Sequence, residues 1–238
     1  MKEYCVYINC SSTTTVFHGI IQRVITLLNN GERISGVFLH GQSVDVIFKE
    51  LRGQWVDEWL ELSNRYDITL WLCSNAMSSR QINNKISPPF RIGGLGELIE
   101  LESKSNAMIT HRYDGVMSGV EEYQCHSIND QKTCLFIFSQ SPYQSTLTQS
   151  GIENLFAHAS LGRDCTVLIL DAVEEILSED EAPEGFKHVL KQFNALPLYD
   201  VTQLYTCAHE ALNNELFEVV SAATASDMIH AADFKFWY

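Results

Sequence analysis

The sequence predicts an α/β protein made of two tandem domains, each a mostly parallel sheet with helices on both faces. Three observations predict it. Short apolar runs of strand length alternate with amphipathic stretches of helix length, the same alternation occurs twice, and a segment rich in Gly, Ser, Glu and Asn without apolar period separates the two occurrences. At 238 residues, 45% of them hydrophobic and 19% charged, the chain is long enough for two compact domains and too balanced for a disordered one.

In the first segment, Tyr4 to Asn9 is a short strand, followed by a polar turn from Ser11 to Thr15. Phe17, Ile20, Ile21, Val24, Ile25 and Leu28 keep the helical period until Asn29, Asn30 and Gly31 stop it. Ile34 to His40 is a buried strand, Trp55, Trp59, Leu60 and Leu62 mark a helix packed on the sheet, Ile68 to Leu72 is a further strand and Met108 to His111 the last. The second segment runs through a strand at Leu135 to Phe138, then a helix through Ile152, Leu155, Phe156 and Ala159 that ends near Gly162. A buried strand at Thr166 to Leu170, a helix at Phe186 to Phe193 and strands at Gln203 to Thr206, Phe217 to Val220 and Phe234 to Trp237 complete it. The expected domains are 1–113 and 132–238, with 114–131 as linker; the rival division is a single α/β domain with one long loop.

Charge divides with the domains. Residues 1–129 carry 11 basic and 14 acidic groups, a net of -3, and residues 130–238 carry 5 and 16, a net of -11. A surface that acidic repels phosphate, and no Lys/Arg run offers a footprint for nucleic acid, so a protein with a basic patch is the better partner. The acidic run Glu174, Glu175, Glu179, Asp180 and Glu181 reads as a solvated face, and Asp171 as a helix cap. No apolar stretch reaches the roughly 18 residues of a membrane helix, and the N-terminus lacks a secretory h-region and cleavage site; a soluble cytoplasmic protein is expected. Seven cysteines, an odd number spread along the chain, fit reduced thiols. With no CxxC pair and no HxxxH or HExxH spacing, neither a metal nor a cofactor is expected. Gly93-Gly94-Leu95-Gly96 fails the dinucleotide fingerprint, because Ile99 stands where the third glycine belongs and the segment does not follow the first strand.

Two cysteines occupy equivalent places. Cys73 ends the strand Leu70-Trp71-Leu72, Cys207 ends Leu204-Tyr205-Thr206, and each precedes residues able to start a helix. The carboxyl ends of parallel strands collect ligands and chemistry, and a helix N-terminus favours thiolate over thiol. Cys73 is followed by uncharged Ser74 and Asn75, with Arg80 seven residues on as a cation able to stabilise a thiolate or persulfide anion; Cys207 is followed by His209 and Glu210 in an acidic setting that raises a thiol pKa. Cys73 is therefore the candidate for chemistry and Cys207 reads as structural, against the alternative that both are small buried hydrophobes. His18, His40 and His111 lie near element ends without a partner identifiable from sequence.

These residues carry a resemblance. SGVFLHGQSV, ITLWLCSNAMSSR and FRIGGLGELIELESKSNAMITHRY make the first half resemble the DsrE/TusD family, and CLFIFSQSPYQSTLTQSGIENLFAHASLGRDCTVLILDAVEEIL, FNALPLYDVTQLYTCAHEAL and DFKFWY make the second half resemble the DsrF/TusC family. The resemblance implies two DsrEF-like domains in a TusD-TusC fusion of a cytoplasmic sulfur relay. It implies that Cys73 accepts persulfide sulfur from a TusA-like donor and passes it to a TusE/DsrC-like acceptor, for 2-thiouridine at the tRNA wobble position or for sulfur oxidation. It further implies a TusB/DsrH-like subunit and a homo- or hetero-oligomer. The chain departs from the family in having Cys10-Ser11-Ser12-Thr13 where a Gly/Pro/Tyr turn is common, while Ser141-Pro142-Tyr143 keeps that turn in the second half, and in the less aromatic His40-Gly41-Gln42-Ser43. A non-catalytic scaffold is the alternative of a different class.

Overall fold

The computed structural model describes residues 1–48, 55–83, 86–113, 118–124, 132–144, 146–171, 173–178, 180–207 and 215–238. They divide into two compact units, the first holding six strands and the second five. The first unit runs β1 (Glu3–Ile8), α1 (Thr15–Asn29), β2 (Arg33–Leu39), a 3₁₀ segment (Gly41–Ile47), α2 (Val56–Tyr66), β3 (Leu70–Cys73), α3 (Ser74–Ser79), β4 (Phe90–Gly93), α4 (Leu95–Lys104), β5 (Ala107–Tyr113) and β6 (Ser118–Gln124). The second runs β7 (Thr133–Phe138), α5 (Leu147–Ser160), β8 (Asp164–Ile169), α6 (Val173–Ile176), α7 (Val189–Phe193), a 3₁₀ turn (Leu196–Tyr199), β9 (Gln203–Thr206), β10 (Glu218–Val219), α8 (Ala222–Ala231) and β11 (Phe234–Trp237).

The strand orders are β4-β3-β2-β1-β5-β6 and β10-β9-β8-β7-β11. Strand for strand these are one plan: a central first strand, three successive strands laid outward on one side, and the fifth on the other. The ladders from β1 to β5 and from β7 to β11 are parallel. In such a sheet the direction of winding reverses between the first and fifth strands, and the carboxyl edge is where ligands collect.

Helix α1 begins where the Thr14 side chain accepts from the Phe17 amide at 3.2 Å, and it buries Phe17, Ile20, Ile21 and Val24. It ends at Asn30 and Gly31, whose φ of 81° glycine adopts without strain. Trp59 of α2 meets Phe17 edge to face at 6.5 Å, and these two pack with Val37, Leu39 and Leu70 on one face of the sheet. Trp55 stacks on His18 of α1 at 3.7 Å. On the opposite face α4 approaches so closely that a Cβ on Gly36 would lie 2.9 Å from Leu101 Cδ2.

One segment differs from its sequence reading. Residues 118–124, read as linker, form β6 at the sheet edge beside β5. Arg23 of α1 holds it by donating from Nε to Glu122 Oε2 at 2.7 Å, and Lys2 Nζ donates to Gln124 Oε1 at 2.7 Å. An edge strand with polar outward side chains has the composition of a loop. The rest of the expected linker, 114–117 and 125–131, lies outside the described residues.

In the second unit Phe136 stacks on Phe236 at 5.0 Å, and Phe138 meets Phe193 edge to face at 5.3 Å under α5 and α7. Asn154 donates to the Tyr238 hydroxyl at 2.7 Å. The other face packs Leu135, Ile137, Leu168 and Trp237 against Ala225 and Ala232 at α8. Gly151 of α5 lies flat on the aromatic layer: an added Cβ would stand 2.5 Å from Tyr238 Cγ and 2.8 Å from Phe138 Cε1. Gly151→Ala gains about 1 kcal/mol of helix propensity but overpacks two buried rings, at about 1–3 kcal/mol. Those rings are wholly buried and have nowhere to go. The net expectation is destabilisation of up to about 2 kcal/mol, read as a lower urea midpoint at unchanged slope.

Candidate functional site

The carboxyl edge of the first sheet is built from the ends of β1, β2 and β3. Leu39 pairs with Leu72, and Cys73 pairs with Gly93. His40 stays in the ladder, its amide donating to the Ile8 carbonyl at 2.8 Å, and the Ser43 hydroxyl donates to the carbonyls of Ile8 at 2.8 Å and His40 at 2.7 Å. These bonds tie the 3₁₀ segment to the strand ends.

Cys73 is the last residue of β3 and the N-cap of α3, as its place in the sequence predicts. Its thiol is fully buried. Any thiol exchange at Cys73 would therefore require this edge to open, since such exchange needs access as well as thiolate. Arg80 closes α3 at the far end, seven residues from Cys73 and about 10 Å along the axis at 1.5 Å per residue. Its Nε donates to Asp45 Oδ1 at 2.8 Å and its Nη2 pairs with Asp45 Oδ2. The cation expected to stand ready for the sulfur is thus already met by a carboxylate, because the 3₁₀ segment that carries Asp45 packs on α3. Sequence reading had no means of seeing this pair, whose members are 35 residues apart.

Cys207 follows β9, its amide donating to the Ile169 carbonyl at 3.0 Å, and is half-buried. Burial pushes its thiol pKa up and the Asp171 carboxylate adds to the rise. The acidic neighbour expected for Cys207 is present, but it is Asp171; Glu210 and the expected helix start at 208–211 lie outside the described residues. Cys10, just beyond β1, accepts from the Thr14 hydroxyl at 3.6 Å, and burial pushes its pKa up to about 11.

Two further groups at the edge of the first unit were left unassigned by sequence. His40 is fully buried, with Nδ1 2.8 Å from the Tyr7 hydroxyl, and His111, in β5, is buried as well. Burial alone lowers the pKa of each to about 4, so both rings are neutral at physiological pH. The glycine run behaves as a cap: the Gly94 amide donates to Glu97 Oε2 at 2.6 Å, so the first turn of α4 is filled by its own carboxylate where a nucleotide phosphate would sit. Glu175, Asp180 and Glu181 are exposed, as a solvated acidic face requires.

Among the described residues no helix is long and apolar enough to cross a membrane. Residues 22–111 match the model of the DsrE/DsrF-like family, a span that starts inside α1, ends inside β5 and includes Cys73, Arg80 and His40. The match lies wholly within the first unit and covers 90 of the chain's 238 residues.

Proposed function

We propose that this chain is a cytoplasmic sulfurtransferase of the relay type, a TusD-TusC-like fusion in which Cys73 of the first unit carries the sulfur. The observation that carries the reading is the position of Cys73: it ends a strand of the family-matched sheet, at the carboxyl edge, and starts a helix. The Cys73 thiolate attacks the outer sulfur of a donor persulfide, the S–S bond of the donor breaks, and its electron pair leaves on the donor thiolate. Cys73 persulfide then yields the same sulfur to a second thiolate, with no net oxidation and no cofactor. The donor is a TusA-like protein, the acceptor a TusE/DsrC-like protein, and the product sulfur ends in wobble 2-thiouridine of tRNA; the same chemistry serves a sulfur-oxidation relay. The tRNA stays with the acceptor, given the acidic second half.

The second unit supports the reading as a partner domain. It repeats the strand order of the first, and its Cys207 has a raised pKa that weakens it as a nucleophile. A TusB/DsrH-like subunit completes the assembly in this reading. The complete burial of Cys73 favours a second reading, a scaffold without sulfur chemistry. Brief thiol labelling of the native chain with and without a TusE/DsrC-like partner separates the two. Selective modification of Cys73 that rises in the presence of the partner supports the relay, and protection of Cys73 in both samples supports the scaffold.

A further inference from the structure

Cys73 has a neighbour whose chemistry is unused. Tyr7 pairs with Phe38 across the β1–β2 ladder, and Phe38 with Trp71 and Leu39 with Leu72 across β2–β3. His40 (φ -126°, ψ 162°) and Cys73 (φ -61°, ψ 120°) both keep extended backbone. Side chains alternate along extended strands, so Tyr7, Phe38, His40, Trp71 and Cys73 share one face, and His40 and Cys73 hold level positions on adjacent strands.

The His40 ring is fixed. Its Nδ1 lies 2.8 Å from the Tyr7 hydroxyl, and the rings of Tyr7 and Phe38 stand 5.9 and 6.4 Å away. It is fully buried, and Nε2 has no hydrogen-bond partner among the described residues. Where Nδ1 accepts from the Tyr7 hydroxyl, a neutral ring carries its proton on Nε2, which makes the orphan a buried N–H donor. Folded chains leave few buried donors unmet, and one that shares a face and a level with a nucleophile on the next strand is suited to charge that is present only in another state of the protein.

We propose that His40, oriented by Tyr7, donates an Nε2–H hydrogen bond to the persulfide anion carried by Cys73. The inference rests on the reading of Cys73 as the sulfur carrier. Loading forms the bond from Cys73 Sγ to the outer sulfur of R–S–SH and breaks the S–S bond of the donor; the electron pair leaves on R–S⁻. The proton of R–S–SH goes to that leaving thiolate, and Cys73–S–S⁻ remains. Its charge sits one S–S bond, about 2.0 Å, beyond Sγ, in surroundings where Arg80 is already paired with Asp45. A neutral donor stabilises that anion without adding a second charge to bury.

The test uses the full chain and a persulfide-loaded TusA-like protein as donor, so that loading does not depend on a small molecule reaching a closed edge. Wild type, His40→Phe, His40→Gln and Tyr7→Phe are loaded, and the sulfur on Cys73 is followed by peptide mass spectrometry. The lifetime of loaded Cys73 without acceptor is expected to fall about tenfold in His40→Phe and several-fold in Tyr7→Phe, and to recover in His40→Gln, whose amide restores a donor. In ¹⁵N-labelled wild type, loading is expected to shift the His40 Nε2 resonance while Nδ1 remains an acceptor, a signature that does not depend on any variant folding. Loading of wild-type Cys73 with an unmoved Nε2 resonance and equal lifetimes overturns this inference and leaves the Cys73 reading standing. No sulfur on wild-type Cys73 overturns both.

Discussion

Cys73→Ser is expected to lower sulfur transfer from a persulfide donor to an acceptor thiol by at least about a thousandfold, while Cys207→Ser changes it by less than about twofold. Serine differs from cysteine by one atom, yet its hydroxyl neither ionises near neutral pH nor forms a persulfide. The substitution also places a hydroxyl in a site closed to water, which costs about 1–3 kcal/mol unless it finds a partner. Transfer is therefore to be normalised to folded protein, and Cys73→Ala, which buries no polar group, is expected to show the same loss. The Cys207 comparison is informative because that thiol is the more exposed of the two. Were exposure the deciding factor, Cys207 would carry the activity; its raised pKa, from burial and Asp171, is the reason it is expected not to.

Acid is expected to destabilise the first unit through His40 and His111. Each ring is neutral when folded, with a pKa lowered to about 4 from 6.5. Between those values the unfolded chain binds more protons than the folded one, so stability rises with pH. The contribution is fully present above the unfolded pKa and is lost as pH falls through about 6 toward about 4. From about pH 7 to about pH 5 the loss is on the order of 2 kcal/mol per ring, at roughly 1.4 kcal/mol per unit. Urea titrations at the two pH values are expected to show it, and His111→Gln is expected to remove about half of the histidine-dependent part, whatever the variant does to stability at neutral pH. A pH dependence identical in wild type and His111→Gln would mean that His111 charges freely in the folded chain.

The regular part of both units was legible because period and burial coincide. In α1, Phe17, Ile20, Ile21 and Val24 are buried at the predicted period, and Leu135 to Phe138, read as a strand, lies within β7 and is buried. What sequence reading missed follows from short elements and weak patterns. The strand β4 has four residues and runs into Gly94, so Phe90 to Gly96 looks like a turn. Helix α8 buries only Ala225 and uses small residues against the sheet, which leaves no stripe of large apolar side chains to count. Helix α7 covers only Val189–Phe193 of the expected Phe186 to Phe193, and the strand expected at Phe217 to Val220 is reduced to Glu218–Val219.

At the candidate site the same division holds. That Cys73 stands at a strand end and a helix start was legible, since both boundaries are local. That Arg80 faces Asp45, and that His40 meets Tyr7, was not, because each contact depends on which strands and segments become neighbours. The burial of Cys73 depends on that packing as well. Its consequence for the proposed relay is chemical: a persulfide formed on Cys73 would be shielded from water until a partner opened the edge.

In the proposed relay the sulfur resides on Cys73. Incubating the full chain with a persulfide donor, quenching with an alkylating agent and mapping the modified peptides by mass spectrometry tests it directly. One added sulfur is expected on the peptide that contains Cys73 and none on that of Cys207. Added sulfur on Cys207 in place of Cys73, or on neither, would contradict it.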